Sequence, residues 1–282
     1  MSGSRQTIRY PAARIVRMEL NFTNRTAVVT GGSKGIGLAL CGALVAEGAK
    51  VVVGSRGDSG GLASLRERGD VTAVSVDLAT PTGPAELIRT AVDAHGGIDI
   101  LVNNVGASEA AAASTDFDDE QWQRVFDVTF FSAVRAVRSA LPAMKGREDA
   151  CIVNVSSLNT RLPQGAIAPY CAAKAALTNL SKAWAEELGP QGIRVNTVSP
   201  GPVRTPFWTE PGAFADFLAA KAGTDAQDFM DRVLPEQLSV TTGRVSEAEE
   251  VADLVMFLAS DRARNISGAD YIIDGGMFKA VA

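Results

Sequence analysis

The chain is poor in the residues that bind metals or form disulfides. It has three cysteines, Cys41, Cys151 and Cys171, and a single histidine, His95. The cysteines lie in or beside apolar runs without metal or disulfide spacing, which predicts reduced thiols, a cytoplasmic location and no bound metal. His95 lies in AHGGID, just before a strand-like run. A solvated or helix-terminal position therefore fits it better than a catalytic one.

Long apolar runs and blocks of like charge are also absent. No apolar stretch reaches the roughly 20 residues needed to span a bilayer. The formal net charge is −5, and without a basic block this argues against nucleic acid or an anionic membrane as a partner. We therefore expect a small-molecule substrate, with no nucleic acid and no membrane as partners.

The remaining composition is that of one globular domain. Hydrophobic residues make up 46% of the 282 positions, enough for one large core, and no repeat or low-complexity linker divides the chain. The first 24 residues differ, because they carry arginines but no acid before Glu19. We predict an N-terminal extension over 1–24, either disordered or produced by an upstream start, with a transit peptide as the alternative. A single domain is predicted over 25–282.

Strand-like and helix-like segments alternate along that domain. Helix patterns follow the first glycine-rich turn and recur at 86–95, 122–144 and 168–188. Apolar, largely β-branched runs predict seven strands, at 27–30, 51–53, 71–76, 98–103, 151–156, 195–198 and 271–273. Continuously apolar strands alternating with helices predict an α/β fold, a Rossmann-like doubly wound parallel sheet with helices on both faces. Ligands of such sheets bind beyond the carboxyl ends of the strands.

A glycine-rich turn, TGGSKGIG, follows the first predicted strand. Gly31, Gly35 and Gly37 lie where the first helix begins, and glycine there permits positive φ and close approach of the backbone to a ligand. Free N–H groups and the helix dipole favour a phosphate at that point. With a strand on each side of the helix, the spacing G-x-x-x-G-x-G predicts a dinucleotide site that includes Ser33 and Ile36.

A second motif has the residue types of acid–base chemistry. Tyr170 and Lys174 are four residues apart on a predicted helix and therefore share one face. Ser157 lies 13 residues before Tyr170, at the end of the strand-like run CIVNVSS. A Tyr-x-x-x-Lys spacing alone indicates little, but its presence in a chain with a dinucleotide turn favours a functional pair.

Together these motifs resemble the short-chain dehydrogenase/reductase family in its classical single-domain form, similar to its 3-oxoacyl-carrier-protein reductase-like members. The resemblance covers about residues 25–278 and extends to SVDL, DILVNNVG (usually NNAG in the family), IRVNTVSPGPVRTP and GADYIIDGGM. It implies an oxidoreductase that transfers a hydride between a nicotinamide cofactor and a secondary alcohol or ketone. Members are commonly homotetramers, and a homodimer is the alternative expected here.

The resemblance also implies roles for matching residues. Tyr170 would be the general acid/base, Ser157 would polarise the substrate oxygen, and Lys174 would lower the pKa of the phenol and hold the nicotinamide ribose. Asn103 would brace its loop without touching the cofactor. Further cofactor-binding residues are implied at Asp77, Leu78, Asn104, Gly106, Pro200, Gly201, Val203 and Thr205.

The end of the second strand indicates which nicotinamide cofactor is bound. An acidic residue there would bind the ribose hydroxyls of NAD, but the chain has Ser55 and Arg56 and no carboxylate before Asp58. Lys34 adds a cation within the glycine turn. Charge-assisted hydrogen bonds to phosphate are strong, and the two cations match positions of NADP-preferring relatives. We therefore predict NADP(H).

One position departs from the family pattern. Counting 28 residues back from Ser157 reaches Thr129 in FDVTFFSAV, where many relatives have an asparagine that helps hold a water connecting the lysine to solvent. Either Thr129 still supports that water as part of the catalytic set, or the relay is broken and the chain is a catalytically weak NADP-binding interaction protein. If the relay limits the rate, Thr129→Asn raises turnover.

Substrate choice depends on a segment that carries no specific motif. Residues 207–240 include Phe207, Trp208, Phe214 and Phe229, and in the family such a segment commonly forms a lid over the substrate. These side chains either face an apolar substrate or form a small core within the lid. The prediction is a secondary alcohol/ketone pair, with a 3-oxoacyl thioester as the alternative.

Overall fold

The computed structural model describes residues 19–281, in which a parallel sheet forms the centre. In chain order, the first six strands of this sheet are β1 (Thr26–Thr30), β2 (Lys50–Ser55), β3 (Val71–Ser75), β4 (Ile100–Asn103), β5 (Cys151–Val155) and β6 (Arg194–Pro200). Two short strands, β7 (Val203–Arg204) and β8 (Ser246–Glu247), then form a separate pair. The seventh strand of the central sheet is β9 (Asp270–Ile273). The seven-stranded order is β3-β2-β1-β4-β5-β6-β9. Strand order reverses between β1 and β4, which is where doubly wound sheets open a ligand crevice. The predicted Rossmann-like fold is confirmed.

Helices cover both faces of this sheet. They are α1 (Gly35–Ala46), α2 (Gly60–Arg68), α3 (Gly83–His95), α4 (Asp119–Phe126), α5 (Ser132–Met144), α6 (Ala168–Leu188), α7 (Pro206–Thr209), α8 (Phe214–Ala222), α9 (Ala226–Asp228), α10 (Leu234–Gln237) and α11 (Ala248–Ala259). One core lies between the sheet and α1, α2 and α11, and a second lies between the sheet and α3, α5 and α6. Burial from both sides explains why strands such as β1 and β5 are apolar or small at nearly every position.

The packed domain begins earlier than residue 25. Phe22 is fully buried, Leu20 packs against the same core, and the guanidinium of Arg25 lies 5.8 Å from the centre of the Phe22 ring. The prediction of a disordered extension through residue 24 is therefore wrong for its last residues, because the isolated Phe22 gave no periodic signal. Residues 1–18, which include the alternative of a transit peptide, lie outside the described part of the chain.

The long helix predicted over 122–144 is two helices joined by a π-helical turn. It begins earlier, at α4, because Asp118 caps the helix by accepting a hydrogen bond from the Gln121 amide at 2.8 Å. The π turn spans Asp127–Phe131 and separates α4 from α5. Such turns occur frequently at functional sites, and this one carries Thr129.

The described residues offer neither a membrane helix nor a metal cluster. Between residues 19 and 281, no helix is both long and apolar enough to cross a membrane. The same part of the chain contains no group of three or more His, Cys, Asp or Glu side chains placed to hold a metal ion. All three cysteines are buried and free. Burial raises the pKa of the Cys41 thiol to about 12, so this side chain remains protonated at neutral pH.

Candidate active site

The predicted site residues gather at one edge of the sheet. Because its strands are parallel, β1, β4, β5 and β6 all end at that edge. The glycine turn follows β1, the loop 104–106 follows β4, Ser157 follows β5, and the segment 200–205 includes the end of β6. Tyr170 and Lys174 approach from the first turns of α6. The structure therefore brings the predicted catalytic and cofactor-binding groups to one crevice.

The glycine turn depends on its glycines for both backbone conformation and packing. Gly31 has φ +71° and Gly35 has φ +53°, both in the left-handed region that favours glycine. A Cβ on Gly37 would lie 2.6 Å from Asn104 Nδ2 and closer still to the carbonyl oxygen of Gly31, so no larger residue fits. Lys34 precedes α1, whose first turn has neither a capping side chain nor an acid. This uncapped, positive helix end fits the pyrophosphate of a nicotinamide dinucleotide.

Asn104 braces the glycine turn from the neighbouring strand. Its Nδ2 donates to the carbonyl oxygens of Thr30 (3.0 Å) and Gly31 (3.1 Å), and its backbone N–H donates to Thr30 Oγ1 (2.9 Å). Asn103, for which a bracing role was predicted, is buried and donates instead to Asn154 Oδ1 at 2.8 Å. Asn103 thus ties β4 to β5, and Asn104 fixes the turn. The contribution of Thr30 could not be inferred from the glycine motif.

The three catalytic candidates lie between β5 and α6. Lys174 is buried, and its Nζ donates to the carbonyl oxygen of Val155 at 2.6 Å. The same ammonium lies 5.8 Å from the centre of the Tyr170 ring. Ser157 Oγ accepts a hydrogen bond from the Asn159 amide at 3.1 Å, which leaves the serine proton available to a substrate oxygen. Ser156, which sequence reasoning did not single out, ties the end of β5 to the Lys174 carbonyl oxygen at 3.3 Å.

Burial controls the ionisation of Tyr170 and Lys174. It raises the pKa of Tyr170 above its usual 10, and interaction with the Ser157 hydroxyl opposes part of that rise. It lowers the pKa of Lys174 from 10.5 to about 8. The expectation that Lys174 lowers the phenol pKa is therefore not met by the protein groups alone, because the desolvation of the phenol outweighs the other influences. At neutral pH the phenol is protonated and Lys174 is mostly charged.

Thr129 lies beside this set and contacts the loop that follows β4. Its hydroxyl accepts from the Ala107 amide and donates to the Ala107 carbonyl oxygen, each at 3.2 Å. A Cβ on Gly106 would lie 3.3 Å from Lys174 Nζ and 3.8 Å from Thr129 Cγ2. The loop that follows β4 thus lies close to both Thr129 and Lys174, and the hydroxyl of Thr129 holds it there.

The predicted adenosine-side residues follow β2 and β3. Ser55 ends β2 and donates to the Gly57 carbonyl oxygen at 2.8 Å, and Arg56 is exposed. The carboxylate of Asp58 is paired with Arg66 on α2. After β3, Asp77 is exposed and accepts from a nearby backbone amide, and Leu78 is buried. Among residues 19–281, no unpaired carboxylate therefore directly follows β2.

The remaining predicted cofactor residues are also near the crevice. Thr205 contacts the glycine turn, since a Cβ on Gly35 would lie 3.2 Å from Thr205 Cγ2. Val203 is buried in β7, and Gly201 donates its N–H to the Ile273 carbonyl oxygen at 2.9 Å. Ser33, Ile36, Gly201 and Thr205 are partly exposed, and Pro200 is buried at the end of β6.

The lid divides its aromatic residues between a small core and the surface. Phe229, Met230 and Leu234 are buried in a separate core. Phe207 is 56% exposed, and its ring lies 5.8 Å from each of the rings of Trp208 and Phe214. The small core expected for this segment is therefore present at Phe229, Met230 and Leu234, and contact of the exposed Phe207 with a substrate stays a prediction.

One polar network behind Ser157 has no signal in the sequence. Arg161, just after the short turn that follows Ser157, donates to Asp270 Oδ2 at 2.7 Å. Asp270 Oδ1 accepts from Ser199 Oγ at 2.7 Å. These residues lie far apart in the chain, so only the folded sheet shows that the serine turn is anchored to β6 and β9.

A doubly wound parallel sheet with this glycine turn and a Ser, Tyr and Lys set at one crevice defines a nicotinamide-dependent oxidoreductase. Comparison with known proteins agrees. A family model described as enoyl-(acyl carrier protein) reductase matches residues 31–278. The chain belongs to the short-chain dehydrogenase/reductase family, as a classical single-domain member.

Relatives in this family act on chemically different substrates. A 3-alpha-(or 20-beta)-hydroxysteroid dehydrogenase of Mycobacterium bovis is 35% identical over 267 residues, covering 94% of each chain. A monensin polyketide synthase putative ketoacyl reductase of Streptomyces virginiae is 36% identical over 263 residues, covering 90% of this chain and 97% of that one. L-Sorbose reductase from Gluconobacter frateurii, solved with NADPH and L-sorbose, has a TM-score of 0.87 at 33% identity and covers 94% of this chain and 100% of its own. The family relationship thus supports an enzyme acting on an alcohol or ketone.

Proposed function

We propose that this protein is an NADP(H)-dependent oxidoreductase that interconverts a secondary alcohol and a ketone. The observation that carries the proposal is the placement of Ser157, Tyr170 and Lys174 beside the loop at Gly106, at the same sheet edge as the glycine turn. The bound cofactor supplies or accepts the hydride. The residues of the chain therefore need only orient the substrate and move one proton.

Tyr170 is the residue that moves this proton. Its raised pKa keeps the phenol protonated at neutral pH, which is the form that donates to the oxygen of a ketone during reduction. Ser157 donates a second hydrogen bond to the same oxygen, because its own lone pair already accepts from the Asn159 amide. The ammonium of Lys174, fixed by Val155, stabilises the phenolate that remains after proton transfer. Alcohol oxidation uses the same groups in reverse.

The preference for NADP(H) is inferred from charge at the end of β2. Arg56 is exposed and has no ion-pair partner among residues 19–281, while Asp58 is engaged by Arg66. Lys34 lies at the start of α1. A 2′-phosphate would receive charge-assisted hydrogen bonds from the two cations, and the site lacks the free carboxylate that would bind an unphosphorylated ribose. The NADPH present in the L-sorbose reductase structure belongs to that protein but is consistent with this choice.

The proposed function is tested by following the oxidation of NADPH and NADH in parallel. The panel contains hydroxysteroid-type ketones, keto sugars, quinones and 3-oxoacyl thioesters. We expect turnover with at least one carbonyl class and a higher kcat/KM with NADPH. A higher kcat/KM with NADH would contradict the cofactor assignment, and NADPH binding without turnover on any class would favour the catalytically weak binding protein.

A 3-oxoacyl thioester is the second candidate substrate, and the polyketide ketoacyl reductase relative favours it. Binding of a carrier-linked thioester would be favoured by free cations near the substrate, and two candidate arginines are already paired. Arg204 is paired with Asp231 and Glu247, and Arg232 is paired with Asp228. Arg204 and Arg232 are therefore not free to bind the phosphate of a carrier arm. Simple ketones should accordingly be reduced with higher kcat/KM than thioesters of the same acyl length.

We also infer a homotetramer in solution. Trp122, Phe126 and Phe130 are only partly buried on α4 and the π turn, and successive rings lie 6.1 Å apart. Trp122 and Phe126 line a surface cleft of about 290 Å³. By contrast, the apolar residues Val251, Val255 and Leu258 of α11 are buried in the core of the single chain. Light scattering should give the mass of four chains; the mass of two chains would favour the homodimer instead, and a monomer mass would contradict self-association.

A further inference from the structure

Lys34 carries an ion pair that the cofactor proposal does not use. Its Nζ lies 3.3 Å from Glu210 Oε1, and 63% and 56% of the two side chains are exposed. Glu210 directly follows α7, in the lid, and is 176 residues away in the chain. The pair therefore joins the lid to the turn that we propose holds the cofactor phosphates.

Backbone hydrogen bonds fix the turn that carries Glu210. The Glu210 amide donates to the Pro206 carbonyl oxygen at 3.1 Å, and the Glu210 carbonyl oxygen accepts from the Ala213 amide at 2.8 Å. The residues directly before the lid also pack against the glycine turn, since a Cβ on Gly35 would lie 3.2 Å from Thr205 Cγ2 and 3.8 Å from Pro206 Cδ. The ion pair thus extends this packing into the lid.

Charge then determines how Glu210 acts on the cofactor. A 2′-phosphate that binds Lys34 competes with the Glu210 carboxylate for the ammonium group. The bound phosphate is then also repelled by that carboxylate, which remains close by. A cofactor without that phosphate leaves the ion pair intact. We propose that Glu210 is a specificity-determining residue that acts as the resident counter-ion of Lys34 and lowers the affinity for a 2′-phosphate. This inference rests on the proposed binding of NADP(H).

The size of the effect follows from the exposure of the pair. Exposed ion pairs contribute little and are screened by salt. Replacing Glu210 should therefore tighten binding of a 2′-phosphate by about two- to five-fold at low ionic strength. This gain in affinity should become smaller as salt is added. Salt screens both the Lys34–Glu210 attraction and the repulsion between Glu210 and the phosphate, which are the two interactions that the substitution removes.

The test measures binding of two cofactor fragments, so it does not depend on finding a substrate. Titration calorimetry gives the Kd of 2′,5′-ADP and of 5′-AMP for the wild type, Glu210→Gln and Glu236→Gln. Glu236 is a matched control, because it is also an exposed lid glutamate but approaches Arg232. We expect Glu210→Gln to tighten 2′,5′-ADP alone and Glu236→Gln to change neither. An unchanged or weaker affinity for 2′,5′-ADP in Glu210→Gln, or an equal gain for 5′-AMP, would overturn the proposal.

A double-mutant cycle with Lys34→Met separates this inference from the cofactor assignment. The gain from Glu210→Gln should become smaller in the Lys34→Met background, because the counter-ion then has no cation to occupy. If Lys34→Met weakens 2′,5′-ADP but Glu210→Gln has no effect, the role of Glu210 is wrong and the NADP(H) assignment survives. If the wild type binds 5′-AMP as tightly as 2′,5′-ADP, the cofactor assignment fails, and this inference fails with it.

Discussion

A single hydroxyl, that of Thr129, satisfies both polar groups of Ala107. It accepts the hydrogen bond of the Ala107 amide and donates to the Ala107 carbonyl oxygen, each at 3.2 Å. An asparagine amide would offer the same donor and acceptor. Thr129 therefore holds the loop that carries Gly106 beside Lys174, and an asparagine could make the same pair of hydrogen bonds.

Thr129→Val removes both hydrogen bonds and keeps the shape of the side chain. The free energy of unfolding should fall by about 1–3 kcal/mol, because two backbone groups lose their partner. The kcat should fall as well, since the loop beside Lys174 is no longer held. Thr129→Ser keeps the hydroxyl and is the control. Urea unfolding and steady-state kinetics measure the two effects, and wild-type kcat in Thr129→Val would contradict the anchoring role.

Thr129→Asn tests the water relay separately. The larger side chain can keep both bonds to Ala107, so the loop should stay in place. If a missing water limits the reaction, kcat rises while the cofactor Kd is unchanged. Unchanged or lower turnover would remove the relay account and leave Thr129 as a positioning residue only.

Arg161→Met should lower kcat through the position of Ser157. The substitution removes the 2.7 Å bond to Asp270 that anchors the turn after Ser157. We expect a loss of about tenfold in kcat, the equivalent of one misplaced hydrogen bond, with little change in the NADPH Kd. Arg264→Met is the control, because Arg264 pairs with Asp149, which precedes the opposite end of β5. Equal kinetics in the two variants would contradict a role for the Arg161 anchor.

Lys174 should make stability depend on pH in a predictable direction. Its pKa falls from 10.5 to about 8 on folding, so the unfolded chain binds more protons between these values and stability rises with pH there. Relative to Lys174→Met, the wild type should gain about 3 kcal/mol of unfolding free energy between pH 8 and 10.5. Urea unfolding across this range isolates Lys174 when both proteins also carry Tyr170→Phe, because the neighbouring phenol, whose titration Lys174 influences, is then absent. A constant difference would contradict the lowered pKa.

Phe207→Ala should alter substrate discrimination more than cofactor affinity. Phe207 is exposed at the start of the lid, where an apolar substrate would meet it. Phe217 is exposed to the same extent, 56%, but lies on α8 and makes a matched control. The measurement compares kcat/KM ratios for a bulky and a small ketone, together with the NADPH Kd. A larger effect on the NADPH Kd would place Phe207 in the cofactor site.

The sheet could be predicted from the sequence because its signal is local. The strand-like runs of Val, Ile and Leu are buried on both faces, and the glycine turn has a spacing that few other structures require. The α6 bounds were also predicted, since a continuous helical pattern runs from Ala168 to Leu188. Both the apolar runs of the strands and the periodicity of the helix are patterns within short segments of the sequence.

The features that the sequence did not predict depend on contacts across the fold. Thr129, in the π turn, hydrogen-bonds to Ala107, which lies 22 residues earlier in the chain. Arg161 hydrogen-bonds to Asp270, which lies 109 residues later. The bracing role of Asn104 depends on its register beside Thr30. The raised pKa of Tyr170 follows from burial that the Tyr-x-x-x-Lys spacing does not encode.

The most direct test of the account is the turnover of Tyr170→Phe with NADPH and the best ketone of the panel. Phenylalanine keeps the ring and removes only the proton that Tyr170 transfers. We predict that kcat falls by about 10²–10⁴, the usual contribution of a general acid, while the NADPH Kd stays close to that of the wild type. Turnover comparable to that of the wild type in Tyr170→Phe would contradict the assignment of Tyr170 as the general acid/base.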